Sequence, residues 1–178
     1  NTRRYLDSIQ NRMEAMTRLT EELFRYSLAA DLPELKLEPV DLRRCLEESL
    51  VSFYAAMVQR GITPEISMPE GPVVRSLDPS AASRIFGNII SNALKYSGGD
   101  FSAALDSRGT VVFSNSAHGL DPVSAGKLFD RFYTVETGRG STGLGLSIAR
   151  LLTERLGGSI QASWAEGRLD ITVAFPDT

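Results

Sequence analysis

The chain has 178 residues and a mass of 19.4 kDa, room for one domain and a short appendage. With 42% hydrophobic and 23% charged residues it is not a disordered protein. A domain of this size buries roughly 70% of its unfolded surface and folds without disulfide or metal. The formal charge of −3 and pI near 5.3 give no electrostatic case for a nucleic-acid partner or an anionic membrane. No apolar run approaches the ~20 residues of a membrane span, and no signal peptide opens the chain. A first residue of Asn1 rather than Met reads as a piece of a longer protein. One cysteine, Cys45, permits no intrachain disulfide and fits a reducing compartment; with a single histidine it also excludes clustered zinc sites. A serine–histidine triad would have to use His118, which this reading leaves in a glycine- and serine-rich loop with nothing to orient it.

Residues 3–27 read as one amphipathic helix. Leu6, Ile9, Met13, Met16, Thr20, Leu23 and Ser27 recur at alternating steps of three and four, with arginines and glutamates on the other faces. Such a seam belongs either to a surface helix packed on its own domain or to half of a dimerising helical hairpin. Pro33 breaks the period, which makes 29–38 a linker between residues 1–28 and a domain over 39–178. Asp41 caps an expected helix to about Gln59, with Leu42, Leu46, Leu50, Phe53 and Met57 on one face. Two strand-like runs follow, 64–68 and 73–77, then an Asp78-Pro79 helix start leading to about Tyr96. Strands over 101–105 and 110–113 form an expected hairpin. A polar, glycine-bearing region covers 114–142, with a short helical piece from Asp121-Pro122. A helix over 143–156 and a strand pair over 159–165 and 168–175 complete the chain. Strands in consecutive pairs between helices predict an α+β fold, a two-layer sandwich with helices on one face of a mixed sheet, preceded by one long amphipathic helix.

Two groups of residues could carry chemistry. In N-I-I-S-N-A-L-K-Y, Asn88, Asn92 and Tyr96 fall at i, i+4 and i+8, one stripe of a helix, with Lys95 beside it. Two asparagines within two helical turns need partners for their amides, unless they cap a neighbouring loop. A divalent cation and a phosphate chain would supply those partners, since an amide oxygen suits Mg²⁺ and a lysine neutralises phosphate. In G-R-G-S-T-G-L-G-L, residues 138–146, glycines let backbone N–H groups approach phosphate at a helix N-terminus. The spacing is neither a P-loop nor a dinucleotide-binding fingerprint, and a plain flexible loop is the competing reading. Arg131 and Arg139 flank this region and could reach a terminal phosphate, the competing reading being solvated loop arginines, and Leu128, Phe129 and Phe132 recur at helical spacing.

Taken together and in this order, these segments resemble the ATP-binding domain of sensor histidine kinases, of the wider GHKL fold. Asn88–Tyr96 is similar to that family's N box, Leu128–Tyr133 to its F box and Ser141–Leu146 to its second glycine box. The opening helix, beginning R-Y-L-D-S-I, resembles the second helix of the family's dimerisation hairpin. The resemblance covers nearly the whole chain.

The resemblance implies that Asn92 holds Mg²⁺ against the phosphates of ATP with Asn88 assisting, that Lys95 contacts phosphate, and that Tyr96 lines the nucleotide pocket. Residues 120–142 would form a mobile lid pinned by Phe129 and Phe132, with Arg131 and Arg139 stabilising phosphate charge. The backbone at Thr142, Gly143, Leu144, Gly145 and Leu146 would cradle phosphate. The first glycine box departs from the family's D-x-G-x-G: here Asn115-Ser116-Ala117-His118-Gly119 puts Asn115 for the aspartate and Ala117 for the first glycine. Asn115 still offers an acceptor to the adenine amine but without a carboxylate's charge, which implies weaker binding. The family's phosphoacceptor histidine lies on the first hairpin helix, so His118 is not its equivalent and the chain is expected not to autophosphorylate by itself. Asn88 stands where related ATPases and serine kinases carry a glutamate base, which disfavours hydrolysis by that route. The implied function is γ-phosphoryl transfer to a histidine for relay to a response regulator. It implies a homodimer through the N-terminal helix, in the cytoplasmic part of a sensor anchored in the membrane by upstream segments. The alternative is a non-catalytic relative that binds nucleotide weakly or not at all and acts in dimerisation or partner binding.

Overall fold

A computed structural model describes residues 5–14, 16, 17, 20, 34–131, 133 and 143–177. The chain divides into two units, residues 1–35 and 36–178. In the first, residues 5–14 are helical, and the hydroxyls of Thr17 and Thr20 donate to the carbonyls of Met13 and Met16, each one turn back. Leu6, Ile9, Met13 and Met16, the described apolar members of the seam, are all exposed.

Among the described residues of the second unit, three of the four helices begin where an aspartate can cap them. Asp41 accepts from the Arg43 N–H and starts α1, Leu42–Gln59. Asp78 accepts from the Ala81 N–H and, with proline at the first turn, starts α2, Pro79–Tyr96. Asp121 does the same through the Ser124 N–H for α3, Pro122–Gly126. The fourth, α4, Gly145–Arg155, has Leu144 at its N-cap and no side-chain cap. It begins two residues later than the glycine pattern predicts, because Gly143 has φ +66°, which a right-handed helix cannot contain.

Five strands form a mixed sheet in the order β2-β4-β5-β7-β6: β2 is Glu65–Ser67, β4 Ser102–Leu105, β5 Thr110–Ser116, β6 Ser159–Ala165 and β7 Arg168–Ala174. Only β2–β4 is parallel. A separate two-stranded antiparallel sheet pairs β1, Glu38–Asp41, with β3, Val74–Leu77. The sequence reading ends its linker at residue 38 and does not foresee β1. Four residues, one of them Pro39, show no alternation, and proline is tolerated there because β1 has a partner on one side only. The buried guanidinium of Arg75 on β3 donates to the Phe175 carbonyl and to Asp177, tying the small sheet to the chain's last residues.

The sequence also ends β5 too early. Its strand runs through Asn115 and Ser116 rather than stopping at Phe113, because alternation continues: Val111, Phe113 and Asn115 are buried in turn. Asn115 is therefore a strand residue, held in register opposite Leu169 of β7. The α+β expectation holds. The apolar side of α2, Ile85, Phe86, Ile89, Ile90, Ala93 and Leu94, is fully buried, and α2 packs between α1 and α4 and against β5. The ring of Phe86 meets that of Phe113 at 5.8 Å between centroids, tilted by 56°, and Phe113 in turn meets Phe101. Phe86→Ala is expected to cost about 3–5 kcal/mol of stability in urea unfolding, because it opens a cavity where helix and sheet layers meet.

Candidate functional site

Burial of one side of α2 directs Asn88, Asn92, Lys95 and Tyr96 away from the core, and all four are half-buried. The Asn88 Nδ2 is buried and has no hydrogen-bond partner among the described residues. It lies beside the start of α4: a Cβ placed on Gly145 would sit 3.9 Å from the Asn88 carboxamide. That helix start is the uncapped one, so its first N–H groups add a positive end to the space that the orphaned amide borders. Within α4, Leu146 is buried and fixes the helix on α2, while Gly143 and Leu144 remain half-buried. The Lys95 ammonium is 5.6 Å from the centroid of the Tyr96 ring.

The end of α2 is locked to the end of β5 by a polar network that the sequence reading misses. The Asp100 Oδ1 accepts from the Ser116 N–H at 2.8 Å and from the Ser116 hydroxyl, while its Oδ2 accepts from Arg168 at 3.1 Å. The Ser97 hydroxyl donates to Asp100 and accepts from the N–H groups of Gly99 and Asp100. The Gly98 N–H reaches the Ser116 hydroxyl at 3.0 Å. Burial alone would raise the Asp100 pKa, but the hydrogen bonds from Ser116 and Ser97 and the charge of Arg168 hold it below the ordinary aspartate value. A serine and an aspartate after a helix are common in sequences. Nothing in their spacing points to Ser116, 16 residues on.

Asn115 is buried, only 3% exposed, and its Nδ2 donates to the Ser116 carbonyl at 2.9 Å. With one amide N–H given to Ser116, the side chain keeps its oxygen as an acceptor and its second N–H as a donor. Ala117 donates its N–H to the Gly167 carbonyl at 2.7 Å and accepts from the Trp164 indole at 2.8 Å. The His118 imidazole is exposed and lies against Gly167, where an added Cβ would fall 2.5 Å from Nδ1. Gly119 follows in the exposed turn. In the F box, Phe129 is buried and Leu128 half-buried, and Arg131 is exposed. Phe132, Arg139 and Thr142 lie outside the described residues, as do residues 134–142 of the expected lid.

The structure therefore brings Asn88 to the head of α4 and joins the Tyr96 end of α2 to Asn115 on β5. Among the described residues no three His, Cys, Asp or Glu side chains cluster to hold a metal. A cation at this site would have to be held by amide oxygens and by oxygens of its ligand, which fits Mg²⁺ on a polyphosphate, while the orphaned Asn88 Nδ2, a donor, calls for an acceptor such as a phosphate oxygen.

Residues 77–178 match the family described as histidine kinase-, DNA gyrase B- and HSP90-like ATPases. The chain is 31% identical over 180 residues to the signal transduction histidine-protein kinase BaeS of Escherichia coli, covering 95% of this chain and 38% of that protein. It is 28% identical over 176 residues to the sensor protein kinase WalK of Staphylococcus epidermidis, covering 92% of this chain and 28% of that one. The chain thus spans well under half the length of these relatives. Its fold is similar to that of the Acinetobacter baumannii histidine kinase AdeS, with a TM-score of 0.67, 24% identity, and coverage of 96% of this chain and 83% of that one.

On acidification the native-state network around Asp100 is expected to fail in a defined window. Because the folded pKa lies below the unfolded value, its contribution is complete above about pH 4 and is lost as pH falls through the folded value. Asp100→Asn is expected to cost about 1–2 kcal/mol at pH 7 and to flatten part of the stability decline below pH 4, as read by urea unfolding at several pH values.

Proposed function

The chain belongs to the histidine kinase-, DNA gyrase B- and HSP90-like ATPase family, and on that premise we propose that its second unit binds Mg²⁺-ATP and donates the γ-phosphoryl group to a protein histidine. The observation that carries this reading is the orphaned Asn88 Nδ2 set against the uncapped start of α4, two sets of N–H donors that the oxygens of a bound phosphate chain would satisfy together. Asn92, with Asn88, would hold Mg²⁺ through amide oxygens. Once bound there the ion would neutralise phosphate charge and orient the chain of phosphates.

The residues of the chain divide the remaining work. Lys95 offsets charge that develops on the transferred group, and the first N–H groups of α4 bind phosphate oxygens. Asn115 accepts from the adenine amine through its oxygen, and Tyr96 lines the base side of the pocket. Arg131 and Arg139 approach the terminal phosphate from the lid. An imidazole nitrogen attacks phosphorus, the bond to the bridging oxygen breaks, and ADP leaves. Asn88 carries no basic group, so water is not activated there and transfer to a nucleophilic imidazole is favoured over hydrolysis.

The acceptor is a histidine on a dimerisation helix, since the one histidine present, His118, packs on the β6–β7 turn. The exposed Leu6, Ile9, Met13 and Met16 seam supports residues 1–28 as one helix of that bundle, joined by residues 29–38 to the catalytic domain, and supports a homodimer built on it. Relay to an aspartate of a response regulator follows from the kinship with two-component sensors. A cytoplasmic position beneath a membrane anchor belongs to the same reading; no helix among the described residues is long and apolar enough to cross a membrane.

Calorimetric titration with a non-hydrolysable ATP analogue is the test. The unaltered chain is expected to bind in a Mg²⁺-dependent way, Asn92→Ala to lose at least tenfold in affinity with the same melting temperature, and Asn115→Ala to lose affinity with or without the metal. Mixed with a hairpin fragment carrying the acceptor histidine and labelled ATP, the chain is expected to yield an acid-labile phosphoprotein. No binding at millimolar nucleotide, together with no label, would overturn the proposal in favour of a non-catalytic, partner-binding module.

A further inference from the structure

We propose that Trp164, on a hairpin that carries none of the nucleotide-box residues, is a positioning residue for recognition of the purine base; this rests on the nucleotide-binding reading above. Strand register supplies the first observation. Asn115 on β5 pairs with Leu169 on β7, and Leu169 pairs with Trp164 on β6. Directly paired residues point to the same side of a sheet, so Asn115 and Trp164 rise from one face, two strands or about 10 Å apart.

The second observation is what the indole does there. Beyond Ser116 the chain leaves the sheet, and the turn 117–119 has no ladder to hold it. Ala117 is instead held at both of its backbone groups by one hairpin: its carbonyl accepts from the Trp164 Nε1–H at 2.8 Å, and its N–H donates to the Gly167 carbonyl at 2.7 Å. Two bonds of opposite polarity at one residue fix its orientation as well as its place. Gly167, with φ +80°, lets the hairpin turn tightly enough to do this and leaves space for the His118 imidazole to close over it.

Ala117 lies two residues from Asn115, which presents the acceptor for the base. The brace therefore sets how Asn115 and the following turn meet the purine edge, and its two hydrogen bonds go to Ala117, not to Asn88, Asn92 or the start of α4, where phosphate and cation bind. Removing the indole N–H should consequently affect discrimination between bases and leave the phosphate end untouched. Phenylalanine retains most of the ring's bulk and lacks the donor, which makes it the informative substitution.

The experiment compares Mg²⁺-dependent affinity for ATP and for inosine triphosphate, which carries an oxygen where adenine has its amino group, in the unaltered chain and in Trp164→Phe. The unaltered chain is expected to prefer ATP; Trp164→Phe is expected to lose at least threefold of that preference, with inosine triphosphate affinity changed less than twofold. Equal loss for both nucleotides, or full retention of the preference in a folded variant, overturns the proposal. Because Trp164 is the sole tryptophan, the unaltered chain gives a second readout that needs no variant. Its emission should shift on saturation with ATP and not with inorganic triphosphate, and an unchanged emission at saturating ATP also overturns it. If the unaltered chain binds neither nucleotide, the nucleotide-binding reading falls and this one with it; preference for ATP without dependence on Trp164 removes this one alone.

Discussion

Burial of one side of α2 is the constraint from which the rest of the second unit follows. Six apolar side chains between Ile85 and Leu94 leave water against α1, α4 and β5. At roughly 25 cal/mol per Å² of apolar surface, that burial far exceeds the cost of half-burying two asparagines on the opposite side. Helical periodicity then permits only one outcome for the polar stripe. Asn88, Asn92 and Tyr96 must lie together, and Asn88 must meet whatever element flanks α2, which is the head of α4. The site proposed for a charged ligand lies where the packed helix has polar groups left over.

The capping pattern sets the head of α4 apart from the other helix starts. Asp41, Asp78 and Asp121 satisfy the first N–H groups of three helices, and each interaction is internal to the fold. The Asp78 carboxylate also accepts from the Lys36 N–H, which joins the start of the unit to the start of α2, and hydrogen bonds from Ala81 and then Lys36 lower its pKa. Leu144 offers no such group to α4. A helix end without a cap costs stability when nothing else binds there, so its position beside an unpartnered amide has a physical meaning that neither feature has alone.

The end of β5 is built differently. There the sheet, not a helix, holds the residue proposed to read the base: Asn115 is fixed by its β7 partner, by its own bond to the Ser116 carbonyl and, through Ser116, by the Asp100 network at the end of α2. The Asp100–Arg168 pair is half in solvent and adds little by itself; the value of Asp100 lies in the donors of Ser116 and Ser97 that it gathers. An asparagine in place of a carboxylate at this position carries no charge but keeps an oxygen acceptor, with one amide N–H given to the Ser116 carbonyl.

Much of this was legible in the chain itself. Periodicity set α1, α2 and β7 to within a residue or so, since each shows a strong apolar pattern and clear end signals, and the N box stripe could be read directly from residue spacing. The order of the boxes identified the family. Short β1 carried no pattern to read, and β5 extended past Phe113 because a buried asparagine does not register as part of an apolar alternation. Contacts made across long separations were beyond the sequence altogether. Ser116 reaching Asp100 and Trp164 reaching Ala117, 47 residues away, depend on strand order and register. Local propensity determines which residues share a face; only the folded sheet decides which faces meet, because pairing energy is gained between strands that sequence places far apart.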